Sequence, residues 1–262
     1  MSPWSSKFFQ RPYDLLITSH EIVLSRGGKA IATAVLPAPV AAETFETRIA
    51  QTLKTVIDQA PGRKARSANI WLSHSLVTHS VVEIDARAMS DADISSALKA
   101  YWEDTLDRPA AKLSIAYQVQ ARGRSIFSSC CDLTLTNAIQ AALQGARCKP
   151  ASIAPLLAKT WNESRKQIRS DDCYLLVLQD KVLSIGRQQG GQWVAWTSEG
   201  CDSTEWAELA LRTTRFSRST GLADGQSLPV WIQAPQAMGK LPSAGLGNWS
   251  LLNAAPHAAP RG

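Results

Sequence analysis

Short apolar runs of alternating pattern, broken by turn residues, open the chain. Tyr13 to Ser19, Glu21 to Arg26 and Ala30 to Leu36 predict three strands, with Gly27-Gly28 as the turn between the last two. Pro37 and Pro39 close this segment. The period then changes from two to 3.6. Phe45, Ile49, Leu53, Val56 and Ile57 form one stripe of a helix from about Ala42 to Gln59, which Pro61-Gly62 ends. Ser67 to Ser73 predicts a fourth strand.

The same order recurs in the last third of the chain. Asp172 to Gln179, Lys181 to Gln188 and Gln192 to Thr197 predict strands, with Gly190-Gly191 at the equivalent turn. A helix over Thr204 to Ser217 carries Trp206, Leu209, Ala210 and Phe216 inward, and strands at Pro229 to Ala234 and Asn248 to Leu252 follow. Two β-β-β-α-β copies in one chain point to internal duplication, a clue to the fold that outweighs any single propensity.

Between the copies, Leu76 to Ile84 predicts a strand, and Ser90-x-x-Asp93 starts a helix with a capping-box arrangement. Its inward stripe is Ile94, Leu98, Tyr101, Trp102 and Leu106, and Pro109 stops it. Strands Lys112 to Val119 and Ser125 to Leu133 come next, then helices Thr136 to Ala146 and Ile153 to Ile168. The predicted division is a first lobe over 1–73, an inserted α+β subdomain over 74–170, a second lobe over 171–253 and a disordered tail over 254–262.

Composition changes this picture little. Hydrophobic residues are 45% and charged residues 19% of the chain, a globular balance. The net charge is +6, but the cations are dispersed, with Arg63-Lys64-Arg66, Arg165-Lys166-Arg169 and Arg212-Arg215-Arg218 the densest groups, so no nucleic-acid partner is expected. No apolar run is long enough to span a membrane, and the N-terminus lacks the layout of a signal peptide. The five cysteines show no metal-ligand spacing, which predicts reduced thiols in a cytoplasmic protein. Nine tryptophans suit both a core and an interface.

Candidate chemistry is sparse. His74 and His79 are five apart, on opposite faces of an extended strand, and together with His20 they are expected at the surface or in turns. Ser19 next to His20 has no nucleophile elbow around it. Asp91, Asp93, Glu103, Asp104 and Asp107 make an acidic helix face that is expected to be solvated. Trp4, Phe8 and Phe9 with Lys7 and Arg11 form a short aromatic patch for a partner, a membrane or the core. No catalytic, cofactor or metal residues are expected.

A duplicated β-β-β-α-β body with an α/β insertion resembles the actin-like (ribonuclease H-like) domains. Val81-Val82-Glu83-Ile84, then Ser90 to Pro109 and Lys112 to Val119, resemble one branch of them: the PilM/GspL-like cytoplasmic subunits of type IV pilus and type II secretion inner-membrane platforms. Leu143-Gln144-Gly145-Ala146-Arg147-Cys148-Lys149-Pro150 resembles that branch's helix-to-strand turn, and Lys7-Phe8-Phe9 its N-termini. The resemblance implies a non-catalytic scaffold, peripheral at the inner membrane through its partners. Those partners would be the cytoplasmic tail of a bitopic membrane protein and an assembly ATPase, and a homodimer stays open. It implies a groove bordered by the insertion, with Trp71, Val82 and Trp102 as candidate apolar contacts, although core packing is the competing reading for all three.

The departures from the resembled pattern concern nucleotide. Actin-like ATPases hold phosphate in two hairpins, where an Asp places Mg²⁺ and a following Gly lets backbone N–H groups approach. Here the first hairpin is Leu15-Leu16-Ile17-Thr18-Ser19-His20, with Asp14 too early and no Gly after it. The second is Leu176-Val177-Leu178-Gln179-Asp180, and the late adenosine turn is Ala234-Pro235-Gln236-Ala237-Met238-Gly239. No cofactor is therefore expected. An ATP-binding actin-like protein with divergent phosphate loops is the alternative.

Overall fold

A computed structural model of the chain describes residues 12–40, 43–60, 67–221, 228–235, 238–241 and 248–252. In chain order the elements are β1 (Tyr13–Ile17), β2 (Glu21–Arg26), β3 (Lys29–Val35), α1 (Phe45–Asp58), β4 (Ser67–Leu72), β5 (Thr78–Val82), α2 (Asp91–Leu106), β6 (Leu113–Val119), β7 (Ile126–Asp132), α3 (Leu133–Gly145), β8 (Lys149–Pro155), α4 (Leu156–Ser164), β9 (Cys173–Gln179), β10 (Val182–Gln189), β11 (Gln192–Gly200), α5 (Trp206–Ser219), β12 (Val230–Gln233) and β13 (Trp249–Leu251). They group into two units, the first from 12–72 and 134–154, the second from 73–133 and 155–252.

The first unit is one sheet in the order β3-β2-β1-β4-β8 with α1 and α3. Strand alternation sends Tyr13, Leu15 and Ile17 of β1, and Ala68, Ile70 and Leu72 of β4, to a buried face. There Tyr13, Leu15, Leu24 and Ala68 meet Ile57 and Ala60 at the end of α1 and Cys148 before β8. Thr44 caps α1 by accepting from the Thr47 N–H. Its stripe buries Ile49, Leu53, Val56 and Ile57, and α3 buries Leu135, Ile139 and Leu143. Each such side chain contributes roughly 1.5–3 kcal/mol by leaving water.

In the second unit the sheet runs β11-β10-β9-β12-β13, and a smaller one runs β5-β7-β6. The central strand β9 is buried on both faces. Tyr174, Leu176 and Leu178 join Leu209 of α5, Val230 and Ile232, while Leu175 and Val177 join Leu157, Leu252 and the half-buried Phe127, Trp161, Trp193, Trp196 and Trp231. α2 covers the small sheet through Ile94 and Leu98 against Val82 and Ile126.

The duplication extends beyond the order of elements. Gly27-Gly28 and Gly190-Gly191 all have positive φ, from 57° to 80°, as a two-residue hairpin turn requires. A bulge precedes each turn at the equivalent place, between Leu24 and Ser25 and between Arg187 and Gln188. The capping box at Ser90 and Asp93 is also formed, and Asp91, Asp93, Glu103, Asp104 and Asp107 are exposed.

One expectation is corrected here. The predicted helix over Ile153 to Ile168 is helical only over Leu156–Ser164, and Lys149–Pro155 is instead the edge strand beside β4. Pro150 and Pro155 hid it, because proline is tolerated at an edge where no ladder N–H is required. In the grouping by contacts, 134–154 goes with the first unit and 73–133 with β9–β13. Trp4, Lys7, Phe8, Phe9, Arg11, Pro61-Gly62, Arg63-Lys64-Arg66, Gln236, Ala237 and the tail 254–262 lie outside the described residues.

Candidate functional site

The turn between β1 and β2 is occupied by its own side chain. Thr18 is buried, and its hydroxyl accepts from the His20 N–H at 3.2 Å and the Glu21 N–H at 2.9 Å. The backbone donors that a turn presents to an anion are thus already satisfied within it. Asp14 points elsewhere. Its carboxylate accepts from the Trp71 indole N–H at 3.0 Å and from Asn69 Nδ2 at 3.3 Å, while Ser152 donates to Asn69 Oδ1 at 3.2 Å. A polar ladder therefore crosses β1, β4 and β8.

Asp180 and Lys181 form the β9–β10 turn, both with positive φ, 54° and 59°. The Asp180 carboxylate accepts from the Ser73 hydroxyl at 2.9 Å and from the Ser75 hydroxyl. Between those serines, His74 turns inward and its Nδ1 meets the Ser184 hydroxyl at 2.9 Å, which meets the Ser198 hydroxyl at 2.9 Å. His79 Nδ1 meets the Ser129 hydroxyl at 2.8 Å, and its ring lies 5.7 Å from that of His74, stacked on Phe127 and edge-on to Trp196.

This seam corrects the expectation of surface histidines. His74 and His79 are only 4% and 5% exposed. The five-residue spacing misled because His74 lies in a turn, closed by the Leu76 N–H to the Ser73 carbonyl, so strand parity does not carry across to β5. Burial holds the His74 imidazole down at about 4, against a weaker opposite pull from Asp180. Burial and then its neighbour His74 hold His79 down at about 3. The rings are neutral at physiological pH, and the Nε2 atoms of both are buried without a hydrogen-bond partner.

Serine, histidine and aspartate are all present, but they do not make a nucleophilic triad. The serine on His74 is Ser184, fully buried at 0% exposure, and the Asp180 carboxylate is held by Ser73 and Ser75. Burial pushes the Cys130 thiol up to about 12 and the Cys131 and Cys173 thiols up to about 11, far from the range of reactive cysteines.

Of the three candidate partner contacts, two are core residues. Val82 is 5% exposed and Trp102 is 0% exposed, with its indole N–H donating to Ser128 at 2.9 Å. They were candidates because an apolar side chain beside a groove and one under a sheet give the same sequence signal. Trp71 alone is partly exposed. Sequence reasoning missed Thr18 as the residue that closes its own turn, although a hydroxyl directly before a two-residue turn is a usable signal.

No protein-family model matches the chain, and no curated protein matches it by sequence. Solved structures do match in fold. A chain of the PilM–PilN type IV pilus biogenesis complex superposes with a TM-score of 0.64 at 16% identity, covering 92% of this chain and 88% of that one. The cytoplasmic domain of EpsL, an inner-membrane component of the type II secretion system of Vibrio cholerae, gives 0.56 at 12% identity over 93% and 90%. A Bacteroides thetaiotaomicron protein described as having an actin-like ATPase fold gives 0.55 at 9% identity over 93% and 91%. The chain has an actin-like fold. Two hairpin turns of this fold, β1–β2 and β9–β10, are closed by the chain's own side chains. Thr18 closes the first, and Asp180 ties the second to Ser73.

Proposed function

We propose that this actin-like chain is a non-catalytic scaffold in a pilus or secretion-type inner-membrane assembly platform. It holds the cytoplasmic tail of a bitopic membrane partner and stays peripheral to the membrane through that partner. The likeness to the PilM–PilN complex and the EpsL domain supports the setting. Among the described residues no helix is long and apolar enough to cross a membrane, consistent with attachment through a partner.

The observation that carries the non-catalytic reading is the Thr18 hydroxyl on the His20 and Glu21 N–H groups. A phosphate would have to displace a bond the turn makes with itself, and in the second hairpin the Asp180 carboxylate is already held by the Ser73 and Ser75 hydroxyls. Calorimetry of the full chain with Mg-ATP tests this. No binding is expected up to millimolar nucleotide; a dissociation constant below about 1 mM, roughly −4 kcal/mol, would replace the scaffold by an ATP-binding actin-like protein. Cell fractionation tests the setting: the chain should sediment with membranes only when the genes for its membrane partners are present.

A further inference from the structure

Strand β6 is the outer strand of the β5-β7-β6 sheet. The Gln120 N–H donates to the Ser125 carbonyl, and the register pairs Tyr117 with Ser128 and Val119 with Ile126. In an antiparallel ladder, bonded and non-bonded pairs alternate, so the even positions of β6 bond to β7. The N–H and C=O groups of Ile115, Tyr117 and Val119 therefore point outward. Ala116 to Val119 are all exposed, Tyr117 and Val119 to 37% each.

Natural edge strands are guarded by charge, proline or shortness. Among the described strands, β3 carries Lys29, β8 carries Lys149, Pro150 and Pro155, β11 carries Glu199, β13 has three residues, and β5 packs beside β11. β6 reads Leu-Ser-Ile-Ala-Tyr-Gln-Val, seven residues without a charge, a proline or a glycine. Cations frame it instead. Lys112 precedes it and Arg122 and Arg124 follow it, all three exposed, while the nearby Asp132 and Asp85 are already paired with Arg108 and Arg87.

We propose that the outer edge of β6 receives an extended acidic segment of a partner chain by strand addition, with the backbone of Ile115, Tyr117 and Val119 supplying the ladder. Lys112, Arg122 and Arg124 select its charge. A second copy of this chain fits worse. Antiparallel self-pairing that opposes Tyr117 to Tyr117 and Ile115 to Val119 also sets Lys112 of each copy beside Arg122 of the other, and like charges facing each other destabilise a pair. This inference stands on the edge itself and does not require the platform reading.

The test is fluorescence anisotropy of the full chain with two labelled octapeptides, one alternating valine with glutamate and the other valine with lysine. The acidic peptide should bind at least about tenfold more tightly than the basic one, with the difference shrinking at high salt. Tyr117→Pro removes an outward N–H that β7 does not use. It should weaken the acidic peptide by about tenfold or more while leaving the melting temperature within a few degrees. Should that variant not fold, Lys112→Glu/Arg122→Glu/Arg124→Glu, exposed positions all, decides the matter by reversing the preference between the peptides. Equal or tighter binding of the basic peptide to the unmodified chain overturns the proposal. So does the absence of saturable binding up to about 1 mM, or self-association that Tyr117→Pro abolishes.

Discussion

The side-chain amide of Gln120 pairs with both backbone groups of Trp193. Its Nε2 donates to the Trp193 carbonyl at 2.7 Å, and its Oε1 accepts from the Trp193 N–H at 2.7 Å. A side chain at the end of β6 thus copies a ladder partner for the edge strand β11, and Nε2 also reaches the Ser125 hydroxyl at 2.8 Å. Gln120→Ala should cost about 2 kcal/mol in denaturant unfolding. Gln120→Glu should not restore it, because a carboxylate cannot donate to the carbonyl.

Acid should weaken the second unit. In the unfolded chain His74 and His79 ionise near 6.5, and in the folded chain burial holds them down at about 4 and about 3. The unfolded state therefore binds more protons between those values, so stability is fully present above pH 6.5 and falls as pH drops through the window. At its limit the loss is roughly 3–5 kcal/mol for each histidine. His79→Phe, stacked in the same aromatic surround, should flatten the dependence between pH 6.5 and 4 in urea titrations. An unchanged slope would mean that other groups drive it.

Gly186 leaves no room for a methyl group. A Cβ there would lie 2.2 Å from Cζ3 of Trp196 and 2.7 Å from Cζ3 of Trp193. Gly186→Ala should destabilise by about 2–3 kcal/mol. With Trp196→Leu in the same chain, the two losses should sum to less than their separate values, which a double-mutant cycle measures.

Lys181 holds positive φ in a turn that glycine would enter freely. Lys181→Gly makes the favoured Asp-Gly pair and should raise stability by about 0.5–1 kcal/mol, seen as a higher melting temperature. The Lys181–Asp202 ion pair it removes is 82% exposed on both sides and adds little.

The elements that were legible in the sequence are those whose signals are local. The Gly27-Gly28 and Gly190-Gly191 turns, the α1 stripe and the Ser90–Asp93 cap each need only a few adjacent residues, and duplication made the two turns reinforce each other. β8 was not legible, since Pro150 and Pro155 argue against a strand until its edge position is known. The polar seam was hidden for a different reason. Ser73, Ser75, Ser129, Ser184 and Ser198 are ordinary surface residues by composition, and only the fold brings them to Asp180, His74 and His79. Trp71 was singled out as apolar, whereas its place is set by an indole N–H on Asp14.

Because 73–133 departs from β4 and the chain re-enters the same sheet at the neighbouring β8, the two units are unequally exposed to change in that segment. The first unit's strand ladder, β3-β2-β1-β4-β8, does not pass through it. The second unit has no such freedom: Phe127, His79 and Gln120 cover or pair with Trp193 and Trp196. Over evolutionary time, residues of 73–133 and of β10–β11 should therefore change together.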